Sequence, residues 1–283
     1  MASRTISRLL PAVDTHDGAG VRLRRALGAH PGLRLDPLLM LDAFSSDNPG
    51  DYIGGFPDHP HRGFETVTYI LDGHMLHEDH LGNRGNLMAG GVQWMTAGRG
   101  IIHSEMPQQT EGRLRGFQLW INLPAKEKMK PAGYRDITPD EIPVVRPLGG
   151  GMIKVIAGDL VQEGKLAAKG PISGGATEPF YFDVTLPLGA HCSILMPSGH
   201  SALLYCFEGT LRVEGVGVPT ATTAILAEGD RVNLDASESE GRCLLIGGKP
   251  LGEPVVQAGP FVMNTRQEIE QAIHDYQMGR LTA

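Results

Sequence analysis

The chain has 283 residues, a formal net charge of −7, and a composition that is 41% hydrophobic and 20% charged. This balance excludes a disordered or collagen-like chain, and it gives no overall basic field for nucleic acid. Three cysteines, an odd number without C-x-x-C spacing, exclude a disulfide framework and a zinc ribbon, and no apolar run reaches the length of a membrane span.

Arg4 and Arg8 near the N-terminus are not followed by an apolar segment, so no secretory signal is expected and the cytoplasm is the default compartment. The 38 glycines and 20 prolines are spread along the chain, which points to many short strands joined by turns. A basic run at Arg22, Arg24 and Arg25 reads as a solvated strand. Next comes His59-Pro60-His61. Residues two apart on a strand share a face, so this pair can aim two imidazoles at one point. Residues 65–71 alternate cleanly, with Val67, Tyr69 and Leu71 opposite Thr66, Thr68 and Ile70.

His74, His77 and His80 have three-residue spacing, which gathers side chains only on a helix. This stretch reads as a strand nearing a turn, so His77 faces away from the other two and all three read as solvated. His103-Ser104-Glu105 is a second pair two residues apart. Three imidazoles and a carboxylate make a mixed nitrogen/oxygen set that suits one divalent first-row metal and leaves room for solvent or substrate. Glu65 is a competing carboxylate, four residues past His61 and on its parity. Residues 117–123 form another alternating strand; Gln118 and Trp120 share a face and line a barrel if that face points inward.

From 122 to 143 the alternation stops. Lys126, Lys128 and Lys130 read as a solvated loop, and 131–143 as a connector. The second half repeats the first in outline: Phe207-Glu208-Gly209 echoes Leu71-Asp72-Gly73. Aligned on Gly73 and Gly209, the positions of His59, His61 and His103 become Leu195, Pro197 and Arg242, so one metal is expected, in the first half. His191 and His200 then read as ordinary surface or loop histidines. Cys206 and Cys243 sit in apolar runs as inert core thiols. Near the end, Asn264 or Thr265 can cap a helix, with Glu268 completing a capping box and Ile269, Ala272, Ile273 and Tyr276 forming its apolar stripe. The class is all-β: a metal-binding barrel over 1–130, a linker over 131–144, and over 145–283 a barrel without metal ligands that ends in the helix.

The run Asp58-His59-Pro60-His61-Arg62-Gly63-Phe64-Glu65, ending at Gly73, resembles the first cupin motif. Gly91 to His103 resembles the second, with Ala97 where proline is usual, a departure that affects a turn and not a ligand. Phe56-Pro57-Asp58-His59-Pro60-His61-Arg62-Gly63-Phe64-Glu65-Thr66, Gln118-Leu119-Trp120-Ile121-Asn122-Leu123 and Gly259-Pro260-Phe261-Val262-Met263-Asn264-Thr265 narrow the match to the pirins, over nearly the whole chain. The resemblance implies two tandem cupin (double-stranded β-helix, jelly-roll) barrels with one mononuclear Fe(2+) in the first. His59, His61, His103 and Glu105 would be the ligands, and Glu65 a support accepting from an imidazole. It implies a quercetin 2,3-dioxygenase type of activity, with Glu105 also as general base, a small flavonol-like aromatic and dioxygen as substrates, and Phe56, Gln118 and Trp120 as pocket candidates. A metal-dependent co-regulator that binds a transcription factor or a metabolic enzyme without turnover is the second implied role. Neither reading involves direct nucleic-acid or membrane binding.

Overall fold

Residues 2–283 are described by a computed structural model. Strands dominate, and Arg266–Gln277 is the one α-helix among the described residues. No helix among them is long and apolar enough to cross a membrane. The chain divides into two compact units that are not contiguous in sequence. One comprises the residues up to Val13, Ala26–Pro37 and Asp140–Pro250; the other comprises Asp14–Arg25, Leu38–Pro139 and Leu251–Ala283. This differs from the expected division at 131–144. Within that supposed linker, Gly133–Ile137 is a strand paired with Val92–Thr96, and the C-terminal helix belongs with the first barrel.

In the first barrel a four-stranded antiparallel sheet runs in the order Phe56–His61, Ile101–Pro107, His74–Asp79, Arg84–Met88. A second sheet includes, in order, Gly133–Ile137, Val92–Thr96, Phe64–Asp72, Leu114–Asn122 and Leu38–Ser46. The alternation read from the sequence sets the faces of this sheet. Val67 and Tyr69 pair with Leu119 and Phe117 on one side, and Thr66 and Thr68 pair with Trp120 and Gln118 on the other. Both sides are largely buried, as befits a wall inside a barrel.

The second barrel has the same strand logic and an apolar interior. The strand Ser201–Val213 lies between Gly241–Gly248 on one side and Thr222–Leu226 and Arg231–Asp235 on the other. Its core is a single cluster that includes Leu204, Ile194, Met196, Val232, Leu234 and Leu245. Cys192, Cys206 and Cys243 are free and buried, and burial pushes the Cys192 thiol up to about 12 and Cys206 to about 11, which makes them unreactive.

The helix Arg266–Gln277 starts with the expected capping box between Thr265 and Glu268. Only part of its predicted stripe is covered. Ile269 and Ala272 pack with Phe261, Met263 and Leu281, whereas Ile273 and Tyr276 stay exposed. Two cations hold this C-terminal segment against the first barrel. Arg62, next to His61, donates to the Arg99 carbonyl, to Asp275 Oδ2 at 2.7 Å and to the Leu281 carbonyl at 3.0 Å. Lys128 is buried, not solvated as expected: its ammonium donates to the carbonyls of Gly63 and Val262 and to Asn122 Oδ1 at 2.8, 3.0 and 2.6 Å. Burial pushes its pKa down to about 8, while three acceptors in place oppose loss of the proton. Gly63 must be glycine here, because it has φ +91° and a Cβ would collide with the Val262 carbonyl oxygen.

Candidate metal centre

The ladder register brings the two short histidine motifs together. His103 lies directly opposite His59 across the pair Ile101–Pro107 and Phe56–His61, and the two-residue period places His61 on the same face. The ring centroids of the three histidines are 4.3–5.0 Å apart. One ligand atom from each lies within 4.8 Å of the others, so the group can hold a metal ion.

Each ring has one nitrogen tied down. His59 Nδ1 is 2.8 Å from the Pro57 carbonyl, His61 makes a hydrogen bond with the Pro260 backbone, and His103 Nδ1 is 2.8 Å from His77 Nε2. Nδ1 of His61 and Nε2 of His103 are buried without a hydrogen-bond partner. Orphaned buried imidazole nitrogens that converge on one point are costly in a folded protein, and a cation relieves that cost. Electrostatics agree. Burial, with the neighbouring His59, holds His61 well below the ordinary histidine range; burial, with His61, His59 and His77, does the same for His103. The His61 and His103 rings are therefore held neutral, which is the form that ligates metal.

This arrangement carries a pH dependence in the metal-free protein. An unfolded chain takes up protons at these histidines below about 6.5, and the folded chain refuses them. Stability is therefore full above pH 6.5 and is lost as pH falls toward the depressed folded values. Thermal melts of metal-free protein should shift downward between pH 7 and pH 5, and His103→Leu should flatten that slope. An unchanged melting temperature across the range would show that burial does not oppose protonation here.

Glu105 shares the His103 strand but is not part of the three-histidine group. It is buried, and its carboxylate accepts from Thr68 Oγ1 at 2.8 Å and from Gln118 Nε2 at 3.4 Å. Thr68 Oγ1 is also 2.5 Å from Gln118 Oε1. Gln118 and Trp120 thus lie on the site side of their strand: Gln118 touches Glu105, and the Trp120 ring packs 5.3 Å from His61 and 4.4 Å from Phe64. Phe56 lies opposite Glu105 in the ladder and packs on the apolar cluster that includes Tyr52, Ile70 and Met75. Glu65 faces elsewhere. It accepts from Trp94 and Thr96 at 3.2 and 2.7 Å, lies 3.6 Å from Lys130 Nζ, and receives no bond from an imidazole.

Several site residues lay outside the sequence reading. His77 does face away from His74 and His80, but it is buried against His103 and is not solvated. Were His103 to offer Nε2 to a metal, its Nδ1 would carry the proton and donate to His77 Nε2, which would fix tautomer and ring orientation. Thr68 had no signal beyond the alternation of its strand. Arg25, read as solvated, makes a two-pronged contact with buried Asp42 at 2.8 and 2.7 Å.

The second barrel shows what happens when such a site is filled. Gly73 and Gly209 do correspond, but the ladders put Ile194, Met196, Val232 and Leu234 at the places of His59, His61, His103 and Glu105. Val213 stands for His77, and Leu204 and Leu245 for Thr68 and Gln118. Arg242 matches Arg115, beside an equivalent irregularity, and not His103. The residues at the matching places differ from those the glycine alignment gives, and each corresponding side chain is apolar and buried.

Two tandem cupin barrels, one with a convergent histidine group and one with apolar side chains at the matching places, define a bicupin. The pirin family model matches residues 20–121, and the model for the pirin C-terminal cupin domain matches 181–282. The chain belongs to the pirin family. It is 56% identical over 268 residues to a Pseudomonas aeruginosa protein named provisionally as a quercetin 2,3-dioxygenase, covering 94% of this chain and 93% of that one. It is 48% identical over 280 residues to a pirin-like protein of Caulobacter vibrioides, covering 99% of this chain and 100% of that one. A crystal structure of quercetin 2,3-dioxygenase from Acinetobacter baumannii superposes with a TM-score of 0.90 at 33% identity, covering 100% of this chain and 99% of that one.

Proposed function

We propose that this protein is a mononuclear iron dioxygenase of the quercetin 2,3-dioxygenase type, acting on flavonol-like substrates. The observation that carries this reading is the convergence of three imidazoles beside a buried carboxylate that is already wired to a hydroxyl and an amide. His59, His61 and His103 would hold the iron, with Glu105 joining as fourth ligand. When bound, Fe(2+) would supply Lewis acidity toward the substrate's 3-hydroxyl group and the redox chemistry for dioxygen. The likeness to quercetin 2,3-dioxygenases supports this substrate class; iron rests on the pirin resemblance, since affinity order alone would favour copper or zinc.

The chain's own residues then have distinct tasks. His77 orients His103. Trp120 and Phe64 offer an aromatic wall beside His61 for a planar ring system, and Phe56 and Gln118 complete the candidate pocket. Glu105 takes the substrate hydroxyl proton as general base. Thr68 Oγ1 lies 2.8 Å from one Glu105 oxygen and Gln118 Nε2 lies 3.4 Å from the other, so the carboxyl is held in place as it receives the proton.

Iron-loaded protein prepared without oxygen should consume oxygen on addition of a flavonol and release carbon monoxide. If fully loaded protein takes up no oxygen with any flavonol, the dioxygenase reading fails and the metal-dependent co-regulator reading takes its place.

A further inference from the structure

The second barrel lacks the ligand set, yet it has a cavity of about 650 Å³, a size typical of small-molecule sites. Val161, Phe180, Phe182 and Met196 give it an apolar interior. His200 lines the same cavity with only 6% of its surface exposed, and both of its ring nitrogens are buried without a hydrogen-bond partner. His200 lies in a loop, as expected, but it is buried and not at the surface. The nearest acid, Glu178, lies 3.9 Å from Nε2, beyond hydrogen-bond reach, and is engaged by Lys249 at 3.0 Å. Folded proteins rarely leave a buried imidazole unpaired at both nitrogens, so a partner from outside the chain is implied.

The surroundings specify the partner's chemistry. Charges at the cavity mouth cancel in pairs: Asp159 stands opposite Lys169 in the ladder, and Glu178 is held by Lys249. Each acid at the mouth thus has a base beside it, and the apolar interior favours a neutral ligand. The rings of Phe180 and His200 are 6.4 Å apart and 31° from parallel, a setting suited to a planar ring. An imidazole presents one donor and one acceptor, and a hydroxyl group can satisfy either.

We propose that the second barrel binds a small neutral hydroxylated aromatic, with its ring against Phe180 and Phe182 and its hydroxyl on His200. This site is separate from the three-histidine group and needs no metal. A suitable probe is 2-naphthol, which lacks the adjacent carbonyl and hydroxyl that chelate metal, compared with naphthalene by fluorescence titration of metal-stripped full-length protein. Wild type should bind 2-naphthol about tenfold more tightly than naphthalene, the worth of roughly one hydrogen bond. His200→Phe should bring the two to parity, and Val161→Trp, which fills the cavity from its wall, should weaken both. Thermal melting and retained iron binding in the first barrel serve as folding checks, and if His200→Phe does not fold, Val161→Trp decides. Parity already in wild type, a preference that survives His200→Phe, binding untouched by Val161→Trp, or binding lost in His59→Ala would each overturn the assignment. So would an absence of binding up to the probe's solubility, which would leave the cavity to water.

Discussion

Replacing His103 with alanine should lower metal affinity by at least about 100-fold and take the metal content from one per chain to near zero at micromolar metal. Three histidine nitrogens form the group, and His103 sits between His59 and His61 on one side and His77 on the other. Removing it takes away a ligand and strands the His77 ring in a buried space. No second set can take over, since the matching places in the other barrel are Ile194, Met196 and Val232, all buried apolar side chains. His77→Leu should be milder, about 10- to 100-fold, because it removes the orienting bond and leaves all the ligands. Metal analysis of purified variants checks both. Full metal in His103→Ala, or two metals per wild-type chain, would show that this centre is not where metal resides.

The second large effect is expected at Glu105. Glu105→Gln should reduce flavonol-dependent oxygen uptake by about 10²- to 10⁴-fold, the usual contribution of general acid–base assistance, while retaining some iron through the three histidines. The amide is nearly isosteric, so Thr68 and Gln118 keep neighbours to bond with, but it cannot accept a proton from the substrate. Glu65→Gln is the control. Its carboxylate is occupied by Trp94, Thr96 and Lys130, so its loss should disturb packing slightly and turnover little. Comparable losses in both variants would remove the base role from Glu105; a full rate in Glu105→Gln with iron intact would refute it outright.

The pairing of His59 with His61 was legible because a strand repeats every two residues, a local rule that needs no knowledge of the fold; the same rule pairs Glu105 with His103, and the structure leaves Glu105 outside the three-histidine group. Local rules also made legible the alternation around Thr68 and Gln118 and the Thr265–Glu268 capping box. Family-specific runs such as His59-Pro60-His61-Arg62-Gly63 then pointed to tandem cupin barrels. Other features depended on partners far away in sequence. His77 has no local periodic signal and acquires meaning only because the ladder sets it opposite Glu105 and within 2.8 Å of His103. Lys128 resembles any loop lysine until Gly63, Asn122 and Val262 close around it. Simple alignment on two glycines put Leu195, Pro197 and Arg242 at the ligand places, whereas strand pairing puts Ile194, Met196 and Val232 there. The sequence by itself determined which residue types could gather on one face of a strand. Which strands meet, in what register, and which polar groups are buried without partners was decided only by the tertiary structure, because cross-strand register and desolvation are set by contacts between residues distant along the chain.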